Sequence, residues 1–154
     1  MIAPQHIHPL LVHFPIVLIV LLVAFDWIAS LRGIPVTGRT PAGNASTAFA
    51  VLAGIAAVAA FYFGGVALDI AEAGGFHSDV AEIHEGLGET TALILAVWAL
   101  VRAFAWFRDF RIKSPIAYSV PVLELAALGL VTATAYYGGE LVYNLGVNVA
   151  HAVG

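Results

Sequence analysis

The sequence predicts an all-α fold, a four-helix transmembrane bundle, and two observations support this prediction. The 154 residues are 61% hydrophobic and 10% charged, with a mean hydropathy of +0.95, whereas a soluble domain is about 45–50% apolar and about 25% charged. The apolar residues also fall into four runs of about 20, the length that a helix needs to cross a hydrocarbon core. This composition excludes a soluble globular domain, a disordered chain and a nucleic-acid-binding protein.

Residues 1–154 are predicted to form a single membrane domain with spans at about 10–31, 45–68, 87–107 and 116–137. Backbone N–H and C=O groups must be satisfied internally in lipid, so each span is expected to be a helix. The first span is expected to be a membrane helix and not a cleaved signal. No basic residue precedes it, and it is longer than a signal core of about 7–15 residues.

The basic residues predict the orientation of the spans. Five of the six lie in the loops after the first and third spans: Arg32, Arg39, Arg108, Arg111 and Lys113. The loop after the second span, 69–85, contains five acidic residues and no Lys or Arg. Because cytoplasmic loops are enriched in Lys and Arg, we expect the two basic loops to be cytoplasmic. Both termini would then face the periplasm across a bacterial inner membrane.

All six histidines are predicted to lie on the side opposite the basic loops: His6, His8, His13, His77, His84 and His151. His13 lies about one turn inside the first apolar run, where an ionisable side chain marks a functional-site candidate. Imidazoles from two helices are ligands that haem iron takes, so His13 and His84 are the predicted pair, with His8 competing for either place. The rival interpretation is that both are buried and hydrogen-bond to a carbonyl, Glu85 or Glu89. The roles of the other three histidines stay open.

Glycines are predicted to leave space beside these histidines. Gly64 and Gly65 end the second span, Gly88 lies in the third, and Gly138 and Gly139 end the fourth. Because glycine lets a backbone or a flat ligand come close, these five are predicted cofactor contacts, although glycine pairs also suit helix C-caps. Carboxylates of the acidic loop are expected to hydrogen-bond to the second nitrogen of the ligating imidazoles.

Asp26, Arg102 and Glu124 are predicted to form an ion cluster near the cytoplasmic ends of the first, third and fourth spans. Counted from the loops, the three side chains reach similar depths, and an unpaired charge there would be costly. A structural role in packing is the main interpretation of this cluster, and a proton path is the alternative.

Several segments resemble a known family of bacterial four-helix membrane proteins, domain of unknown function 2231. They are residues 8–15 (HPLLVHFP), Asp26, His84, residues 139–143 (GELVY) and residues 146–149 (GVNV). The resemblance covers nearly the whole chain and maps the histidines of the family onto His8, His13 and His84. It implies an association with redox proteins, including Rieske and c-type cytochrome domains, and hence electron transfer. Asn144 and Leu145 stand where family tails carry a basic residue or histidine, so no ligand is implied there.

These observations favour a membrane b-type cytochrome that carries electrons on the periplasmic side, with c-type cytochromes or Rieske proteins as partners. The cytoplasmic side has no His, Met or Cys for a second haem, so transfer across the membrane by this chain alone is not expected. The absence of cysteine excludes disulfides, iron–sulfur clusters and covalently attached haem. No Ser/His/Asp arrangement, P-loop or dinucleotide motif is present, which favours an electron carrier over a catalyst.

Two alternatives remain from the sequence. His8, His13, His84 and a loop carboxylate are suitable ligands for a Zn, Cu or Fe ion without haem. The second alternative is a structural or assembly subunit without a cofactor, in which the histidines cap helices. Besides the lipid bilayer, a second copy of the chain is left open as a partner.

Overall fold

A computed structural model of the chain describes residues 4–112, 115–147 and 149, and within these residues it contains four long helices and no strand. A 3₁₀ turn, Pro4–His6, leads into a short helix. The helices are α1 (Ile7–Leu11), α2 (His13–Leu31), α3 (Pro41–Ala73), α4 (Asp79–Phe107) and α5 (Ser119–Tyr143). The predicted all-α, four-helix fold is confirmed, whereas Lys113 and His151 lie outside the described residues.

The four long helices alternate in direction and pack as a ring, each against the next, with α5 returning to α2. With the 3₁₀ turns at their starts included, the helical segments are 28 to 33 residues long and apolar enough to cross a membrane. Large apolar side chains such as Leu93, Leu100 and Phe104 are exposed on the outside of the ring. The chain is therefore a multi-pass membrane protein whose outer surface contacts lipid.

The helices extend further than predicted at the end that carries His8 and His84, called the histidine end below. The sequence predicted a loop over 69–85, but α3 continues to Ala73 and α4 begins at Asp79. Polarity alone does not end a helix; caps and glycines do. Gly75 has a φ of +89°, and the Ser78 Oγ accepts the N–H of Val80 at 3.2 Å. All five carboxylates assigned to the acidic loop therefore lie on helices.

The two basic connections meet at the opposite end of the bundle, called the arginine end below. The N–H of Arg39 donates to the Asp109 Oδ1 at 2.7 Å, and the guanidinium of Arg39 donates to the carbonyl of Phe107 at 2.7 Å. The Arg111 guanidinium beside Asp109 holds the pKa of that carboxyl below its usual value. The connection between α2 and α3 is thus fastened to the one between α4 and α5.

The bundle consists of two similar hairpins, α2–α3 and α4–α5. All five buried residues of α5 have a buried counterpart 74 positions earlier in α3, and four buried residues of α4 have one 76 positions earlier in α2. These pairs are Pro15/Thr91, Ile19/Leu95, Val23/Ala99, Asp26/Arg102, Ser46/Val120, Thr47/Pro121, Ala50/Glu124, Ala53/Ala127 and Ala57/Val131. The pattern indicates two hairpins of the same direction arranged around an axis that runs along the bundle, a known architecture of membrane proteins.

The two hairpins approach most closely where α3 meets α4. A Cβ at Gly54 would lie 2.7 Å from the Cβ of Ala99 and 2.9 Å from the carbonyl oxygen of Leu95. Glycine at this position lets the two backbones come together, which is how helices commonly associate in membranes. This contact brings the start of α4, and with it His84, close to the end of α3.

Candidate functional site

His8 and His84 face each other at the histidine end. Their ring centroids lie 6.0 Å apart and their planes are nearly perpendicular, at 77°. His8 lies on α1 and His84 in the second turn of α4, and the two are 76 positions apart, the same separation that relates α2 to α4. Equivalent residues of the two hairpins therefore meet near the axis of the bundle.

Each ring is fixed by a hydrogen bond to a neighbouring helix. The Nδ1 of His8 lies 2.8 Å from the carbonyl oxygen of Ala60, and the Nδ1 of His84 lies 3.0 Å from that of Thr134. A carbonyl only accepts, so each Nδ1–H donates, and in the neutral imidazole each Nε2 then keeps a free lone pair. Histidines that bind metals usually donate their other ring N–H in this way. The expectation that loop carboxylates would accept these bonds is wrong, because each ring lies against the backbone of a neighbouring helix.

Gly64 and Gly138 make room for the two rings. Each lies one helical turn after the carbonyl that accepts the imidazole bond, at Ala60 and Thr134. A Cβ would lie 3.1 Å from the Cε1 of His8 at Gly64 and 2.9 Å from the Cε1 of His84 at Gly138. These distances are shorter than ordinary contacts, so a side chain at either position would push a ring away from its carbonyl.

A cavity of about 450 Å³ surrounds the two histidines, within the usual range of about 300–1,000 Å³ for ligand pockets. All five predicted glycines line it, and its other walls are mostly small or apolar side chains. At Gly65, Gly88 and Gly139 a Cβ would meet no atom closer than 3.8 Å. The missing side chains at these three positions therefore leave empty space in the cavity. The ionisable groups in its lining are His8, His13, His84, Glu85 and Tyr143.

His8, not His13, is the histidine whose ring the structure brings to His84. His13 is exposed on the first turn of α2, although it also contributes to the cavity wall. The sequence favoured His13 because it lies inside the apolar run, but helix already begins at Ile7 and includes His8. Five residues along a helix turn a side chain by about 140°, so the two histidines point to different sides.

The proposed set of three histidines and a loop carboxylate is not assembled in the part of the chain that the structure describes. Across residues 4–112, 115–147 and 149, no three His, Asp or Glu side chains lie close enough together to hold a metal ion. His6 and His77 are exposed, and His151 lies outside the described residues. The site at this end is thus formed by two histidines and an apolar cavity.

An internal repeat in the sequence marks the two helices against which the histidine rings lie. Residues 61–65 (FYFGG) and 135–139 (AYYGG) are 74 positions apart and carry the two ring-accommodating glycines at the same place. The aromatic pairs match too: Tyr62 and Phe63 have ring centroids 5.3 Å apart, and Tyr136 and Tyr137 5.4 Å, both at 85°. The first helices of the two halves are related by 76 positions, two more than this repeat, and only that offset places His8 opposite His84.

A second polar site lies toward the arginine end, where the structure joins Asp26, Arg102 and Glu124. The Arg102 Nη1 donates to the Asp26 Oδ2 at 2.9 Å and to the Glu124 Oε1 at 2.7 Å. The three side chains are 0–2% exposed. Asp26 follows His8 by 18 residues, about 27 Å of helix, so the two polar sites are separated by most of the membrane thickness.

Comparison with known proteins gives the chain its family. No curated protein and no solved structure shows detectable similarity to it. Residues 4–151 match the family of predicted membrane proteins DUF2231, a stretch that includes His8, His84 and the ion cluster. Nearly all of the chain is matched, and the chain therefore belongs to the DUF2231 family of predicted membrane proteins.

Proposed function

We propose that the protein is a membrane b-type cytochrome in which His8 and His84 hold one haem b in the cavity at the histidine end. Haem, when bound, supplies an iron that accepts and releases one electron. The 6.0 Å between the two ring centroids carries this proposal. Two imidazoles that bind one metal ion from opposite sides, each through a bond of about 2.1 Å, hold their centroids roughly 6 Å apart.

The number of protein ligands favours haem over a bare ion. Zinc sites take three or four protein ligands, and the described residues bring only two histidines together here. Haem would need at most two ligands from the protein, because the macrocycle provides the other nitrogens, and His8 and His84 would be those ligands. The apolar cavity of about 450 Å³, with Gly65, Gly88 and Gly139 on its walls, offers room for such a flat group.

The residues of the chain have distinct parts in this function. The carbonyls of Ala60 and Thr134 orient the rings and place the proton of the neutral imidazole on Nδ1, which leaves Nε2 as the ligand atom and increases its basicity. The apolar walls exclude water from the iron. Electrons are exchanged at the histidine end, and c-type cytochromes or Rieske proteins are the proposed partners.

The visible spectrum of the purified protein tests this proposal. Protein expressed in haem-replete cells and purified in detergent is expected to be coloured, with a Soret band and with sharp α and β bands after reduction. A pyridine haemochrome assay is expected to give one haem per chain. Colourless protein with one stoichiometric metal ion would favour the non-haem alternative. Colourless, metal-free protein from the same cells would overturn the haem proposal and favour the cofactor-free subunit.

The proposed orientation places the histidine end in the periplasm of a bacterial inner membrane and the arginine end in the cytoplasm. The basic residues of the arginine end support it. Alkaline phosphatase fused after Gly154 is expected to be active and green fluorescent protein at the same place dark. Fusions after Phe110, at the arginine end, serve as the control and are expected to give the reverse. Fluorescence from the C-terminal fusion would contradict the orientation.

A further inference from the structure

The cluster at the arginine end contains one more carboxyl group than its cations neutralise. Its charged groups are Asp26 from α2, Arg102 from α4 and Glu124 from α5. If all three were ionised, two negative charges would face one positive charge. The repeat explains the imbalance: Asp26 and Arg102 occupy equivalent positions and neutralise each other, whereas the counterpart of Glu124 is Ala50.

Among the residues that the structure describes, the other groups bonded to the cluster carry no positive charge. Trp98 Nε1 donates to the Glu124 Oε1 at 3.0 Å, and the Ser46 hydroxyl donates to the Asp26 Oδ2 at 2.7 Å. The second guanidinium nitrogen of Arg102 donates to the Ser46 hydroxyl and, at 2.6 Å, to the carbonyl oxygen of Val36. These groups are neutral, so they leave the net charge of the cluster unchanged.

Hydrogen bonding leaves room for one more proton. The Asp26 Oδ1 and the Glu124 Oε2 are buried and accept no hydrogen bond from any donor among the described residues. A single nitrogen, the Arg102 Nη1, nevertheless holds the two carboxyl groups close together, because it donates to the Asp26 Oδ2 at 2.9 Å and to the Glu124 Oε1 at 2.7 Å. Two ionised carboxylates that share one donor repel each other, whereas a proton on either carboxyl supplies a further donor and removes the excess charge.

We infer that Asp26 and Glu124 together bind one proton, which makes the cluster an electrically neutral proton-binding site inside the membrane. The cost of an uncompensated charge in an apolar interior supplies the driving force. Asp26 lies five residues before the end of α2, about 8 Å along the helix. The site therefore lies nearer to the arginine end than to the histidine end, and it holds that proton whether or not a cofactor occupies the histidine end.

Infrared spectroscopy of the detergent-solubilised protein near neutral pH tests the inference. Exposed carboxyls are ionised there, so a C=O stretch of a protonated carboxyl reports a buried acid. We expect one such band, which shifts when H₂O is replaced by D₂O. Glu124→Gln and Asp26→Asn are each expected to abolish it. The one remaining carboxylate and the guanidinium of Arg102 then form a neutral pair, which needs no further proton. The matched control, Glu72→Gln, removes an exposed carboxyl and is expected to leave the band unchanged.

The absence of a protonated-carboxyl band in the folded wild-type protein would overturn the inference. A band that survives in both Asp26→Asn and Glu124→Gln would also overturn it, and so would a band that neither ¹³C-aspartate nor ¹³C-glutamate labelling shifts. If a variant does not fold, ¹³C-aspartate and ¹³C-glutamate labelling of the wild-type protein asks the same question. At least one of these two labels must then shift the band. A band that no label moves would belong to another group.

Discussion

Replacing His84 or His8 with alanine is expected to remove the haem bands from the visible spectrum, whereas His13→Ala is expected to keep them. Each of the first two changes removes one axial ligand, and even the loss of an outer hydrogen-bond partner typically weakens metal binding about 10–100-fold. We therefore expect haem per chain to fall below about a tenth of the wild-type value. The measurement is the pyridine haemochrome assay on protein whose fold is checked by circular dichroism.

His13→Ala is the matched control, since His13 contributes to the same cavity wall but is exposed and turned away from the pair. Added imidazole provides a second readout: it is expected to restore the spectrum of His84→Ala by filling the space of the lost ring. A side chain that only supported the fold would not be replaced in this way. Loss of haem in His13→Ala and its retention in His8→Ala would contradict the site and restore the pair that the sequence favoured.

Arg102→Leu is expected to lower the free energy of unfolding by about 3–5 kcal/mol, the usual result of removing one partner from a buried ion pair. Arg102 is 2% exposed and hydrogen-bonds to Asp26, Glu124, Ser46 and the carbonyl of Val36. Without it, the ionised carboxylate of the cluster loses its counter-charge, and α2, α4 and α5 lose their shared contact. Thermal unfolding in detergent measures the effect, and a large drop in the midpoint is expected.

Two further variants separate charge from packing. Arg111→Leu breaks an ion pair with Asp109 in which both side chains are nearly half exposed, and it is expected to change stability little because solvent screens such pairs. The triple variant Asp26→Asn, Arg102→Leu, Glu124→Gln contains no charge at the cluster and is expected to recover most of the lost stability. An unfolding midpoint of Arg102→Leu close to that of the wild type would show that the cluster does not stabilise the bundle.

The sequence predicts the helices well but not their ends at the histidine end. At the arginine end, three predicted bounds coincide with the helical segments of the structure, at Leu31, Phe107 and Ile116, whereas α3 begins at Pro41, four residues before the predicted bound. At the histidine end, α3 and α5 end later and α4 begins earlier than the predicted spans, because the more polar turns at this end still form helix. Hydropathy locates the bilayer, whereas a helix ends where a cap or a glycine ends it.

The histidine pair shows where reasoning from burial depth reaches its limit. Depth along the apolar run favoured His13, but which rings meet depends on the direction in which each side chain leaves its helix. The repeat of 61–65 and 135–139 marks the two glycines that the rings contact, but its offset of 74 is not the 76 that separates His8 from His84. The five glycines do line the cavity, yet two of them contact the imidazoles, a distinction that only the packing of neighbouring helices makes.

The sequence by itself determined that this chain crosses the membrane four times, because composition and the length of apolar runs fix how much of a chain enters lipid. It also placed Asp26, Arg102 and Glu124 at a common depth, since depth follows from counting residues along a helix. Only the tertiary structure decided that His8 meets His84, and that the ring nitrogens bond to backbone carbonyls. The physical reason is that contacts across a bundle depend on how each helix is rotated about its axis and how closely its neighbour approaches, and small residues on the partner helix set both.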